Sequence, residues 1–351
     1  MNAIPLVKEQ VTLHLREHIL KLRSDTPVRI DSERALTQDL GVSRVSIRSA
    51  IKTLSNEGLL TQIKGSGTYI TPNISFDSIN LAISQDIKYN DPFYMNLISE
   101  TNAMCARLSI KLNLVNFNTA INLNVNSPII DNSIIVCIGQ VEDNIMNILV
   151  NKYKKVISLL DNSDNSNITQ ISYDDYNIGS RAAEILHQYG HKRTLLLAGP
   201  AKYTSSHYRR LGFITAVDRL GLNNQIIYNK MNWSGGNECA KKFLELYEIQ
   251  DNRPTGVFAA NDWMAIGFIQ GLKEARIIVP DEISVIGCDD VPLASEYQPL
   301  LSTFNLDANL IVEELCSILN NKEPILQTTN RKVLLFSKFI NRKTLKSIKN
   351  Q

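Results

Sequence analysis

Arg44, Arg48 and Lys52 follow one another at intervals of four residues, which on a helix sets three cations along one face with Ser46 beside them. No acidic residue falls between Ser43 and Ser55. A solvated helix face usually mixes signs, so a purely cationic stripe points to a partner built of phosphates and base edges. Arg34 lies upstream in a separate segment, and Lys64, Gly65 and Gly67 cluster downstream.

These groups need a scaffold, and the flanking residues specify one. Ser43 can cap a helix whose Ile47, Ala50, Ile51 and Leu54 recur at the spacing of a buried face. Before it, Asp31 or Ser32 can cap a shorter helix in which Ala35, Leu36 and Leu40 face inward and Gly41 makes the turn. After it, Gly58 offers a left-handed exit. Leu59–Ile63 and Thr68–Ile70 then read as two strands around Lys64-Gly65-Ser66-Gly67. The pattern predicts a winged helix-turn-helix with a glycine-tipped wing.

The run Ser32-Glu33-Arg34, Gly41-Val42-Ser43-Arg44, Ile47-Arg48, Glu57-Gly58-Leu59-Leu60 and Gly65-Ser66-Gly67-Thr68-Tyr69 resembles the DNA-binding domain of the GntR regulators. That resemblance implies operator contacts from Arg34, Arg44 and Arg48 and from the wing glycine, Gly65 or Gly67. With the capping and stripe residues, the candidate DNA-contacting set is Arg34, Ser43, Arg44, Ser46, Arg48, Lys52, Lys64, Gly65 and Gly67. The chain departs from the family at Asp31, where a proline is usual, and over 22–27, where the usual glycines are missing.

Charge divides unevenly along the 351 residues. Residues 1–72 hold 10 Lys and Arg against 7 Asp and Glu, and the remainder holds 27 against 28. The basic excess therefore belongs to the N-terminal part, and the rest is not a nucleic-acid surface. Cys105, Cys137, Cys239, Cys288 and Cys316 are odd in number, scattered and without a CxxC pair, which reads as reduced, buried thiols. The first twenty residues lack a signal-peptide core, and no stretch approaches membrane-spanning length. The expectation is a soluble cytoplasmic protein. His14 and His18, and His187 and His191, are spaced four apart, but no carboxylate or thiol motif joins either pair, so no metal and no cofactor is expected.

From about residue 77 the pattern changes. Ile79–Ile83, Ile134–Ile138, Val156–Leu160, Thr194–Ala198, Gly256–Ala259 and Ile283–Gly287 read as buried strands. Amphipathic stretches at Gly179–Tyr189, Tyr208–Leu220 and Trp263–Ala275 separate several of them. Apolar strands alternating with helices predict parallel sheets covered on both faces. No GxGxxG or GxxxxGK[ST] follows any strand, which disfavours a nucleotide-binding enzyme.

Asp175-Tyr176-Asn177-Ile178-Gly179, Leu197-Ala198-Gly199-Pro200, Tyr208-Arg209-Arg210-Leu211-Gly212-Phe213, Ala260-Asn261-Asp262 and Ile286-Gly287-Cys288-Asp289-Asp290 resemble the effector domain of the LacI/GalR repressors. The resemblance implies a fold like periplasmic sugar-binding proteins, with two α/β lobes joined by three crossings and ligand between them. It further implies an effector site made of Phe93, Asp161, Arg209, Trp233, Asn261 and Asp289. Arginine would supply forked donors, the carboxylates and the amide would meet hydroxyls, and the aromatics would stack on a sugar ring.

The expected organisation is a winged helix over 1–72, a linker over 73–77, a two-lobed effector domain over 78–340 and a basic tail over 341–351. A GntR-type reader joined to a LacI-like sensor resembles the arabinose-repressor type of regulator. The expected protein is a homodimeric repressor of carbohydrate genes, not an enzyme, with a palindromic double-stranded operator and a small sugar as partners and no membrane. The alternative is a sugar-binding or transport protein without regulatory DNA binding.

Overall fold

The computed structural model describes residues 4–22, 28–57, 59–63, 66–70, 76, 78–85, 87, 91–122, 133–153, 155–161, 168–246, 252–320 and 331–348. Gly58, Lys64, Gly65 and all of the expected linker except Phe76 lie outside them.

The N-terminal unit comprises α1 (Ile4–Leu22), β1 (Val28–Arg29), α2 (Glu33–Leu40), α3 (Arg44–Asn56), β2 (Leu60–Ile63) and β3 (Gly67–Ile70). Ser32 and Ser43 cap α2 and α3, accepting from the amides of Ala35 and Ser46. Gly41 closes α2 at φ 61°, a left-handed value that a glycine adopts without strain. Ile47, Ala50, Ile51 and Leu54 are fully buried against Val11, Leu15 and Ile19 of α1. β1, β3 and β2 form an antiparallel sheet in that order, so the wing has a third strand beyond the two expected.

Two six-stranded sheets follow. Lobe 1 contains β4 (Ser78–Ile83), α4 (Pro92–Leu108), β5 (Lys111–Asn116), α5 (Phe117–Asn122), β6 (Ser133–Ile138), α6 (Asp143–Lys152), β7 (Val156–Leu159) and β8 (Thr169–Tyr173). Lobe 2 contains α7 (Asp175–Gln188), β9 (Arg193–Ala198), α8 (Thr204–Leu220), β10 (Asn223–Tyr228), α9 (Trp233–Leu246), β11 (Gly256–Ala259), α10 (Asp262–Glu274), β12 (Ser284–Asp289) and β13 (Ser302–Asn305). The chain then returns to lobe 1 as α11 (Ala308–Asn320) and β14 (Lys332–Leu335), and ends in lobe 2 with β15 (Lys338–Ile340). Sheet orders are β14-β8-β7-β6-β4-β5 and β10-β9-β11-β12-β13-β15, parallel except for β15. The fold is therefore two α/β lobes with three crossings, at β8–α7, β13–α11 and β14–β15. Among the described residues no helix is long and apolar enough to cross a membrane.

The crossings are tied to one another. Tyr173 donates from its hydroxyl to Asp307 O at 2.9 Å, and the Asp174 amide donates to Leu335 O at 2.9 Å. Residues 341–348, read from sequence as a tail, pack into lobe 2. Thr344 is fully buried, accepts from Ser302 N and donates to Val285 O, and the Ile348 amide donates to Tyr189 O.

Motif glycines allow helices to touch backbone to backbone. A Cβ on Gly179 would fall on the Arg209 carbonyl oxygen, and one on Gly212 on that of Tyr176. α7 and α8 therefore interlock at Gly179 and Gly212, which brings the first turn of α7 beside Arg209. Because the obstacle is backbone, it cannot rotate away. Gly212→Ala is expected to lower unfolding free energy by about 1–3 kcal/mol, read as a reduced urea midpoint; an unchanged midpoint would contradict this packing.

α11 links the units. It starts beside Leu306 and carries Cys316, whose Sγ lies 3.7 Å from Glu57 O at the C-cap of α3. Glu57 is in turn held by a bidentate pairing with Arg16 of α1, the shortest distance being 2.7 Å.

Candidate functional site

The exposed face of α3 carries Arg44, Arg48 and Lys52 as the spacing requires, with Ser43 and Ser46 at its start. The stripe is not purely cationic, because α2 supplies an acid across the turn. Glu33 accepts from Arg44 Nε at 3.2 Å and from Arg48 Nε and Nη2 at 3.2 and 3.0 Å. The hydrogen bond from Arg48, the largest contribution, and that from Arg44 hold the Glu33 carboxyl below its ordinary range. Glu33 lies eleven and fifteen residues before its partners, a juxtaposition set by helix packing and not by periodicity. Arg34 is exposed beside it. Gly67 adopts φ 130° and backs onto the Arg29 guanidinium, where a Cβ would come within 2.9 Å of Nε. It pairs with Ile63 at the closing end of the β2–β3 hairpin, and so shapes the approach to the wing's tip. Val45, unremarked in the spacing, is 79% exposed.

Between the lobes lies a cavity of about 880 Å³. All six residues of the expected effector set line it: Phe93 and Asp161 from lobe 1, and Arg209, Trp233, Asn261 and Asp289 from lobe 2. Their positions follow from the fold, since each sits at a strand's carboxyl end or a helix's first turns, where open α/β sheets present ligands.

The chemistry is more interlocked than six free side chains. Arg209 is 4% exposed. Its Nε donates to Asp175 Oδ1 at 2.7 Å, and its Nη1 donates to Ala260 O at 2.5 Å and to Asp289 Oδ1 at 3.4 Å. Burial raises the Asp175 and Asp289 carboxyls above their ordinary values, while the Arg209 charge opposes this. Asp289 and Asp290 have φ of 123° and 59°, so the strand ends in strained backbone at the cavity. Asn261 caps α10, accepting from Met264 N at 3.0 Å and donating to Met231 O at 3.2 Å. Each of its amide groups still has one further hydrogen-bonding position. Asp161 is also engaged, accepting from the Thr204 hydroxyl at 2.8 Å across the cleft and from Val141 N at 3.3 Å. Trp233 is 44% exposed, so it stands at the cavity and not in the core. Phe93 packs edge-to-face on Tyr94 at 5.4 Å.

Asp91, Tyr94, Tyr173, Asp175 and Thr204 also line this space and were not singled out from sequence. Asp175 had a signal, since it opens the motif that ends at Gly179. Burial lifts Asp91 and Tyr94 above their usual values. Behind the wall, Asp262 is fully buried, accepting from Val291 N at 3.0 Å and Thr303 Oγ1 at 2.5 Å. Burial pushes its carboxyl up to about 7, with the Thr303 hydrogen bond opposing. A carboxyl raised on folding favours the native state below its unfolded pKa and loses that contribution as pH rises through the folded one. Wild-type stability is therefore expected to fall from about pH 4 to pH 7 on this account, and Asp262→Asn to flatten that segment. Parallel thermal melts of both proteins across that range check it.

The histidines behave as packing or surface residues. His191 is buried with Nδ1 3.0 Å from the Thr255 hydroxyl, while His14, His18 and His187 are exposed. All five cysteines are buried and unpaired in disulfides.

Comparison with known proteins agrees with this architecture. Residues 7–70 match the model for bacterial regulatory proteins of the gntR family, and residues 166–345 match that for the periplasmic binding protein-like domain. The HTH-type transcriptional repressor PurR of Pasteurella multocida (strain Pm70) is 28% identical over 224 residues, covering 61% of this chain and 66% of that protein. The ribose operon repressor of Escherichia coli (strain K12) is 32% identical over 154 residues, covering 42% and 46%. The chain thus spans about half to two thirds of the length of these relatives. Among solved structures, a transcriptional regulator CelR–cellobiose complex superposes with a TM-score of 0.67 at 18% identity, covering 86% of this chain and 91% of that one. A LacI family transcriptional regulator from Enterococcus faecalis V583 with bound ribose gives 0.64 at 21% identity, covering 78% and 100%. At these identities the likeness is one of fold. With more than half of its length matched by one model, the chain belongs to the periplasmic binding protein-like family, carrying a gntR-type reader at its N-terminus.

Proposed function

We propose that the chain is a sequence-specific DNA-binding transcriptional regulator, a repressor of carbohydrate-utilisation genes whose DNA affinity is set by a small sugar between its lobes. The observation that carries this reading is the continuity from cleft to reader. Leu306 is on the cavity wall, and α11 runs from beside it to the Cys316 contact at the end of α3. A sugar that altered the lobes would move the base of that helix, and affinities for sugar and DNA would be linked reciprocally. As a homodimer on a palindromic double-stranded operator, each subunit would set Arg44, Ser46 and Arg48 in a major groove. Arg34, Ser43, Lys52, Lys64 and the wing glycine Gly65 or Gly67 would fix phosphates and the adjacent groove. This pairing of modules is of the arabinose-repressor type. Ribose bound to the E. faecalis relative supports a sugar as the ligand class.

In the cleft, Asp289 and Asp161 would accept from hydroxyls, Asn261 would use its remaining positions, and Trp233 and Phe93 would cover the ring's C–H faces. Arg209 would hold Asp289 in place and offer its remaining donors. The test is selection of tight-binding duplexes from a random pool, then gel shifts on the selected sequence with a panel of free sugars. A specific shift that one sugar changes by tenfold or more is expected. Sugar binding without sequence-specific DNA binding would instead support the transport-type alternative.

A further inference from the structure

Val45 is the most solvent-exposed large hydrophobic among the described residues, at 79%. It sits in the first turn of α3, directly after the Ser43 cap and Arg44. Ile47, Ala50, Ile51 and Leu54 bury the other face completely, so Val45 adds nothing to the core. A β-branched residue at an exposed helical position is also a poorer helix former than alanine. Its place on the helix is informative. Val45 is three residues before Arg48 and seven before Lys52, which puts it on the cationic stripe itself. Arg44 and Arg48, its neighbours on one flank of α3, are drawn together over Glu33.

The first residues of a recognition helix are the ones that reach base edges. In the major groove every base edge offers a donor, an acceptor or both, and the methyl group displayed there is the C5-methyl of thymine. A valine laid against a guanine, cytosine or adenine edge would strip water from polar atoms and return no hydrogen bond. Against a thymine methyl it removes two apolar groups from water together.

We infer that Val45 is a specificity-determining residue that packs on the C5-methyl group of a thymine in the operator, beside base pairs read by Arg44 and Arg48. The inference rests on the DNA-binding reading above and names a base feature of that partner.

The experiment uses the full chain and its selected duplex, with each thymine of a half-site replaced singly by uracil, which removes one methyl and leaves pairing unchanged. At one position per half-site, uracil is expected to weaken wild-type binding about fourfold, the worth of one buried methyl. Val45→Ala is expected to bind the thymine duplex about sixteenfold more weakly, because both subunits lose the contact. It should also bind the thymine and uracil duplexes within twofold of each other, which marks the two groups as coupled. Because Val45 is exposed, its variant should melt with wild type, and a thermal scan checks this. If Val45→Ala discriminated thymine from uracil as wild type does, or if no thymine were sensitive, the inference would be overturned while the DNA-binding reading stood. Failure to select any duplex would overturn both.

Discussion

Arg209→Ala is expected to destabilise the protein by about 3–5 kcal/mol, more than any effect confined to ligand binding. The reason is the company the guanidinium keeps. Removing it leaves Asp175, Asp289 and the Ala260 carbonyl without their shared donor in a buried site. Burial already raises both carboxyls, so without the cation they must take up protons or draw in water. Lysine is no substitute, because three acceptors in different directions require a planar fork. Asp289→Asn separates binding from folding. It keeps the shape and an acceptor toward Arg209, but loses the charge offered to a hydroxyl, so stability stays near wild type while effector affinity falls by about 1–3 kcal/mol. Urea unfolding of both variants, with calorimetric titration of the sugar that alters operator binding, distinguishes the two roles. An Arg209→Ala midpoint equal to wild type would mean that the buried network holds nothing together.

What the sequence revealed and what it hid divide along one physical line. Strands with apolar residues on both faces were legible, as in Ile134–Ile138 and Thr194–Ala198, because central strands are buried on both sides. The edges were not. β5 reads Lys-Leu-Asn-Leu-Val-Asn and β10 reads Asn-Asn-Gln-Ile-Ile-Tyr, each mixing polar residues because, among the described residues, its outer side meets no neighbouring strand. β8 was missed for another reason. It is buried throughout, yet Thr169, Gln170 and Ser172 interrupt its apolar run. Caps were readable, since Ser43 and Gly41 act on amides or turns within a few residues. The cavity-lining residues came from motif resemblance, and their position at strand and helix ends places them around one space. Their mutual bonds were beyond reach. Arg209 with Asp175, Asp161 with Thr204, and Glu33 with its arginines all join residues that only packing brings together.

Replacing Arg44 or Arg48 by alanine is expected to weaken operator binding by about 1–3 kcal/mol each and to relax base preference at the positions they read. Lys52→Ala is expected to act on all sequences alike and to lower the slope of log affinity against log salt by about two, one for each subunit of the homodimer. Glu33 adds a condition. Its carboxylate engages both Nε atoms, so the outer fork of Arg44 and part of that of Arg48 remain free for base edges. The pairing is solvent-exposed, with both arginines 67% accessible, so its contribution to folding is small. Its effect lies in binding. A carboxylate beside phosphates opposes nonspecific attraction, while orienting two arginines lowers the entropy lost when they dock. Glu33→Gln is therefore expected to tighten binding to random duplex, steepen the salt dependence and shrink the ratio of specific to nonspecific affinity. Measuring operator and random-duplex affinities over a salt series for wild type, Glu33→Gln, Arg44→Ala, Arg48→Ala and Lys52→Ala separates these contributions. If both arginine variants bound the operator like wild type, α3 would not be the reading helix; if Glu33→Gln lost operator and random duplex equally, the carboxylate would be serving the fold of the reader and not its selectivity.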